Sequence, residues 1–217
     1  ICRRRMAPSP SPPMRSAAQT ALMRQIVFTF RKLPSPSRIV EVLLFQLLDE
    51  RGALDGIGAR EQQLIRAAAL LHDVGHYPFS HALEEIGVTD HEEVARPLVT
   101  QGAVGAVLRQ ALGDDAPDTV FALISGVSTH PLQGLISGSS DLDKIEYLKR
   151  DATMCGVPYG EIDVDRLLNS LVLVELPEGH TAIGVHEKGL SALESLLFAK
   201  YQMYRNVYWH HAVRSAT

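Results

Sequence analysis

The sequence predicts a mainly α domain, a helical bundle that carries one small β-hairpin near its C-terminal third. Three observations predict it. After Ile39, apolar residues recur at the three-to-four-residue spacing of a buried helix face through most of the chain. One segment breaks that rhythm, where β-branched runs flank Pro177-Glu178-Gly179-His180. Hydrophobic residues make up 46% of the 217 and charged residues 21%, enough apolar mass for a core and too little charge for a disordered chain.

Residues 1–38 stand apart from this pattern. The first forty residues hold 8 of the 21 Lys and Arg, none of the 25 Asp and Glu, and 6 of the 12 prolines. Three readings of this basic, Pro/Ser-rich segment stay open: an organellar targeting sequence, a flexible basic arm, or a stretch outside the native reading frame. The rest of the chain, 39–217, is then the folded domain. Its charge balance is about -12, which argues against a general nucleic-acid surface and would repel a polyphosphate unless cations intervene.

The domain's elements follow in order. Val40, Leu43, Leu44, Leu47 and Leu48 mark a first helix that Gly52 stops. Glu61–Val74 is a second, with Leu64, Ala68 and Leu71 on one face. Pro78 breaks the path before a short helix over Phe79–Ile86. Further helices are expected at Glu92–Val99, Ala103–Leu112, Thr119–Ile124 and Leu142–Met154, the last capped by Ser139 or Ser140. Leu171–Leu176 and Thr181–His186 form the hairpin, and a long helix over Leu190–His211 closes the chain. Because the chain opens at Ile1 and its last helix meets no stop signal, the expectation is a sequence cut at both ends.

Chemistry concentrates in two runs. Leu70-Leu71-His72-Asp73-Val74-Gly75-His76-Tyr77-Pro78-Phe79-Ser80-His81 places three histidines and an aspartate within ten residues. Adjacent imidazole and carboxylate groups suit a divalent ion (Mn, Fe, Mg, Zn or Co) with positions left open for water and substrate. His76, four residues after His72, can share its helix face, and the Gly75 and Pro78 turns can return His81 to the same cleft. The second run is Asp141-Leu142-Asp143-Lys144-Ile145-Glu146-Tyr147-Leu148-Lys149-Arg150-Asp151. On a helix, Asp143, Tyr147 and Asp151 share one face; Asp143 can complete a metal site and Lys144 can meet a phosphate. Taken alone, that second run is as easily a solvated charged helix.

Together the runs resemble the HD-domain superfamily of metal-dependent phosphohydrolases, and within it the dNTP triphosphohydrolase, or dGTPase-like, branch. The likeness extends through the hairpin into Tyr204-Arg205-Asn206-Val207-Tyr208-Trp209-His210-His211 and covers the chain from about Val40 onward. It implies an HD-domain helical bundle. It implies His72, Asp73 and Asp143 as metal ligands, and His81 backed by Glu84 as a catalytic His-acid pair. It further implies His76 and His91 against the phosphates, Lys144 on phosphate, Tyr147 and Asp151 at the sugar, and Arg205 and His211 as additional phosphate-binding cations. The implied reaction releases deoxynucleoside and triphosphate from a dNTP, in a protein that assembles with copies of itself.

The chain departs from that branch at one position. The branch places a first metal histidine upstream of the HD pair, and here no histidine precedes His72. Its place falls near Pro34–Glu41, at the edge of the anomalous segment, and one cause is favoured for both: residues 1–38 are not native family sequence. The rival reading is a nucleotide-binding module of the same fold with an impaired metal site.

Other classes are excluded or weakened. No Gly-x-x-x-x-Gly-Lys phosphate loop and no Gly-x-Ser-x-Gly elbow is present. Cys2 and Cys155 make no disulfide framework, which fits a reducing, cytoplasmic setting, and Cys155 is expected as a buried thiol. No apolar run approaches the ~20 residues of a membrane span. His130 is expected to cap or sit at the surface, His180 to be exposed, and Trp209 to pack the last helix.

Overall fold

A computed structural model describes residues 57–77, 87–138, 141–177 and 179–215. The expected helix after Ile39, the segment 1–38, the short helix over Phe79–Ile86, and with it His81 and Glu84, lie outside the described residues. What is described is mainly helical with one two-stranded antiparallel sheet, as the periodicity predicts.

Helix α1, Ala59–Leu71, opens where the Glu61 carboxylate accepts the Gly58 amide at 2.8 Å. It buries Leu64, Ile65, Ala67, Ala68, Ala69, Leu70 and Leu71, so its second half is enclosed on nearly all sides. Helix α2 is His91–Thr100, α3 Gly102–Leu112 and α4 Ala116–Ile124. Val120, Leu123 and Ile124 of α4 supply the apolar face that meets α1, and α2 packs on both α3 and α4. Arg60 fastens this group: Nε donates to the Leu112 carbonyl at 2.7 Å, covering the open end of α3, and Nη2 reaches Asp115 at 2.6 Å.

After a 3₁₀ turn at Gln133–Leu135 comes α5, Leu142–Cys155. Its N-cap is Asp141 rather than either serine: Oδ1 accepts the Lys144 amide at 2.9 Å, an ionised acceptor one position nearer the helix than Ser140. Gly156 ends it in the left-handed conformation, φ +65°, which a side chain would strain. Leu142, Ile145, Leu148 and Ala152 face inward. Helix α6, Val164–Leu168, leads into β1, Leu171–Glu175, paired with β2, Thr181–Val185, in the register Leu171 with Val185 and Glu175 with Thr181.

The last expected helix is shorter than its periodicity suggests. α7 covers Leu190–Met203, the chain then widens into a π-helical turn over Tyr204–Tyr208, and a separate α8 covers His211–Arg214. The widening lets Trp209 N–H reach back to the Tyr204 carbonyl at 2.9 Å and turns three aromatic rings toward one another. Trp209 therefore does not pack the helix; it stands 64% exposed, edge-on to Tyr204. Cys155 is likewise exposed, because it is the last residue of α5, where the helix's buried face has run out. No helix among the described residues is long and apolar enough to cross a membrane.

Gly75 sets the closest approach in this framework. A Cβ there would lie 2.0 Å from the His91 carbonyl oxygen and 2.7 Å from the Ala95 nitrogen. The first turn of α2 thus runs against bare backbone, beside the end of α1. Gly75→Ala should destabilise the fold by about 3 kcal/mol, the upper part of the overpacking range, since the clash is with backbone that cannot swing aside. Chemical denaturation of both proteins measures this, and an unchanged midpoint would mean that α2 does not approach as described.

Candidate metal centre

The end of α1 delivers the first two groups. His72 occupies the C-cap position and His72–Gly75 forms a turn, with the Val74 amide bonded to the Leu71 carbonyl at 3.1 Å. The helix therefore ends before His76, and the expected sharing of one helix face between His72 and His76 gives way to a turn. That turn still brings His76 Nε2 within 3.6 Å of Asp73 Oδ1.

His72 is held by its other nitrogen. Nδ1 lies 2.8 Å from the Ala69 carbonyl oxygen, an acceptor only, so Nδ1 carries a proton and donates it. Nε2 then faces the carboxylates, 3.2 Å from Asp73 Oδ1 and 3.7 Å from Asp143 Oδ1. It is buried without a hydrogen bond of good geometry. A buried, orphaned imidazole nitrogen beside two acidic oxygens, with its ring fixed by a backbone carbonyl behind, is the arrangement a divalent ion selects. The three ligand atoms of His72, Asp73 and Asp143 all lie within 4.8 Å of one another. The residues present thus fit a divalent cation.

Asp143 comes from the first turn of α5, where the helix dipole favours negative charge. Burial pushes its carboxyl up, but His72, Lys144 and Arg150 outweigh this and hold it below the usual value of 3.8. Burial pulls the His72 imidazole down; the bond toward Asp143 and the charge of Asp73 overcome it, and the group is pushed up from 6.5 to about 9.

The remaining predicted residues fall into two groups. His76 and His91 stack face to face, ring centroids 4.1 Å apart at 15°, beside Asp73, with His91 in the first turn of α2. Further along α5, Tyr147 is half-buried and its hydroxyl lies 3.4 Å from that of Tyr204; Asp151 accepts from Tyr208 at 2.9 Å and from Arg150 Nε at 3.3 Å. Lys144 folds back onto its own helix cap, Nζ donating to Asp141 at 2.6 Å and to the Gly138 carbonyl at 2.9 Å. Arg205 lies exposed over the Tyr201 ring, donating to its hydroxyl at 2.8 Å, and His211 is exposed beside His210 at the start of α8. His130 caps a turn, its Nδ1 accepting the Leu132 amide at 3.1 Å; His180 is exposed.

Three residues escaped the sequence reading. Glu146 is buried and paired with Arg150 Nη1 at 3.0 Å, which places a second acid-base pair behind Asp151. Burial pushes the Glu146 carboxyl up against the pull of Arg150. Tyr204 and Tyr208 meet Tyr147 and Asp151 across the fold. The one signal for them was spacing: Tyr147 and Asp151 are four residues apart, and so are Tyr204 and Tyr208.

Comparison with known proteins identifies the family. The HD domain model matches residues 37–149, and the model of an HD associated region matches 162–217. The chain belongs to the HD domain family. It is similar to the YwfO protein of Bacillus subtilis, 37% identical over 157 residues, covering 72% of this chain and 35% of that one. The crystal structure of a phosphohydrolase from Bacteroides thetaiotaomicron superposes with a TM-score of 0.63 at 27% identity, covering 82% of this chain and 41% of that one. A deoxynucleoside triphosphate triphosphohydrolase SAMHD1 homolog of Dictyostelium discoideum is 28% identical over 173 residues, covering 73% of this chain and 32% of that protein. The chain spans about a third of the length of the curated relatives it matches.

The raised His72 and lowered Asp143 make a stability signature. A raised histidine contributes fully below its unfolded value of 6.5 and loses that contribution as pH rises through about 9. A lowered carboxyl contributes above 3.8 and loses its share as pH falls through its folded value. In chelator, the stability advantage of the native chain over His72→Gln should therefore be largest near pH 4–6.5 and fade toward pH 9. Added Mn should reverse the trend at high pH, because the ion no longer competes with a proton. Melting curves across pH decide it, and a pH-independent difference would contradict the assignment.

Proposed function

We propose that this chain carries the catalytic core of a metal-dependent nucleotide phosphohydrolase, and that its substrate is a deoxynucleoside triphosphate, hydrolysed to deoxynucleoside and triphosphate. One observation carries the reading: the orphaned His72 Nε2 between Asp73 and Asp143, on the same helix system that presents Tyr147 and Asp151. The similarity to the Dictyostelium triphosphohydrolase supports the choice of substrate.

His72, Asp73 and Asp143 would hold the ion. When bound, a divalent cation offsets the phosphate charge and makes water a competent nucleophile at neutral pH. In the reaction, water oxygen forms a bond to the α-phosphorus while the bond from phosphorus to the 5′ oxygen breaks. The water protons must be removed and one proton must reach the 5′ oxygen. By the resemblance the proton-moving role would fall to His81 with Glu84, both outside the described residues, a contribution typically worth ~10²–10⁴ in rate. The stacked His76 and His91 offer further donors toward phosphate oxygens, with Lys144, Arg205 and His211 as cations able to turn toward the same charge. Tyr147 and Asp151 would meet the sugar, Asp151 accepting its 3′-hydroxyl proton. Assembly with further copies of the chain is part of the same proposal.

A second reading is favoured by one observation: no histidine precedes His72 in this sequence, and among the described residues three side chains converge where the resembling branch offers four. On that reading the domain binds nucleotide with little turnover. Purified protein loaded with Mn, Mg, Fe or Co and offered each dNTP separates the two. The enzyme reading expects inorganic triphosphate, carrying one oxygen from labelled water, and a fall of at least ~10²-fold in His72→Ala and Asp143→Asn. Metal retained with nucleotide bound and no triphosphate formed would establish the second reading instead.

A further inference from the structure

A cavity of about 580 Å³ lies between β2, the 3₁₀ turn Gln133–Leu135, α5 and α7. Its size falls in the range of pockets that hold small molecules, roughly 300–1,000 Å³. Leu135, Ile145, Leu171, Ile183, Leu193 and Leu196 supply most of an apolar wall. Among the described residues that line it, none is Asp, Glu, Lys or Arg. The hairpin touches the turn at one edge, where a Cβ on Gly134 would stand 3.3 Å from the Ile183 side chain. The metal centre is on the other side of α5. Ile145 follows Asp143 by two residues, about 200° round the helix, so the cavity and the carboxylate belong to opposite faces.

The wall carries a polar group that the fold does not satisfy. His130 lines the cavity, and its Nδ1 accepts the Leu132 amide at 3.1 Å, so in the neutral ring the proton sits on Nε2. Nε2 is buried and makes no hydrogen bond among the described residues. Burial holds the imidazole below its usual 6.5 against the charge of Glu61, so the ring is neutral at pH 7. A buried N–H without an acceptor is destabilising, and an acceptor brought to it recovers that loss.

We propose that this cavity is a binding site for an uncharged small molecule with an apolar body and one hydrogen-bond acceptor, which accepts from His130 Nε2. The ligand class follows from the wall. Aliphatic side chains favour an apolar body, and a charge brought among them would lose its hydration with no opposite charge to meet it. The phosphates of a nucleotide are thereby excluded, so the cavity is no second place for the proposed substrate. The His130 ring is fixed by the hydrogen bond from the Leu132 amide, and a tilt about that contact brings Nε2 to a ligand oxygen. The site does not depend on the proposed reaction.

2-Acetylnaphthalene has this chemistry, a flat apolar body and one carbonyl. Naphthalene lacks the acceptor, and 2-naphthoate adds a charge. Each is titrated into the full chain, with binding followed by calorimetry or by the fluorescence of the naphthalene ring. The expected result is one 2-acetylnaphthalene per chain with a Kd of roughly 100 μM or tighter, and binding of 2-naphthoate at least ~tenfold weaker. Leu193→Trp fills the cavity from α7 and Ile183→Trp fills it from the hairpin; each should weaken 2-acetylnaphthalene at least ~tenfold, with circular dichroism showing that the variant is folded. His130→Phe keeps a ring and removes the donor. It should cost about fivefold on 2-acetylnaphthalene and less than about twofold on naphthalene, which also controls for the lost bond to Leu132. A native chain that binds no 2-acetylnaphthalene, binding unchanged in a folded filling variant, or equal losses on both ligands in His130→Phe would overturn the proposal. None of these results bears on dNTP hydrolysis, and a metal-loaded chain that hydrolyses no dNTP leaves this site as it is.

Discussion

His72 donates its Nδ1 proton to the Ala69 carbonyl, and that bond determines which ring nitrogen is left for chemistry. The acceptor is available because α1 ends at Leu71: carbonyls in the last turn of a helix have no amide four residues on to receive. One of these otherwise idle carbonyls is thus spent on orienting an imidazole. The cost of leaving Nε2 buried is carried by the apolar second half of α1, where seven residues from Leu64 to Leu71 are enclosed and lock the helix end in place. Asp73 follows directly in the turn, and Asp143 is brought in from α5. Among the described residues, the three groups that could hold a cation need only these two helix termini to meet, one by its end and one by its beginning.

The closeness of α2 has the same origin. Gly75, three residues after His72, lets the His91 backbone come near enough that no side chain fits between. His91 is thereby stacked on His76 at 4.1 Å, and His76 is kept beside Asp73. A glycine in the turn, a capped helix start at Asp90 and two imidazoles form one mechanical unit. Loosening any of them moves the others, which is why a site of small side chains depends on backbone contact more than on side-chain packing.

Those parts were legible to different degrees. The helical class, the hairpin and the His72–Asp73–Asp143 meeting were visible because each is written in local pattern: periodicity, a Pro/Gly turn, and two contiguous runs of ligating residues. Helix ends were less so. Asp141 outcompetes two serines as cap because its carboxylate also holds Lys144, a choice that depends on a neighbour three residues away. The same bond draws the Lys144 ammonium toward its own cap, and no propensity rule foretells where a flexible lysine rests. The long final helix failed at Tyr204 because the residues there are acceptable helix formers. What diverts them is tertiary: hydroxyl bonds to residues 57 positions earlier in the chain. Cys155 and Trp209 were placed inside on general tendency and lie outside, since both occur where an element ends and its buried face has run out.

Helix α5 ties these observations to the proposed reaction. It is a rigid element with Asp143 in its first turn and Asp151 two turns on, so the two groups are separated by about 12 Å along the axis at the usual helical rise. Between them lie Lys144, Glu146, Tyr147 and Arg150, of both signs, and this mixture lets an acidic domain hold several carboxylates near one another. Burial drives the Glu146 carboxyl up, and Arg150 both opposes that and reaches across to Asp151. In the proposed reaction the polyphosphate end of the substrate belongs to the metal end of this helix and the sugar to the other. The distance between reacting phosphorus and sugar hydroxyl is then matched by a fixed number of helical residues rather than by adjustable loops.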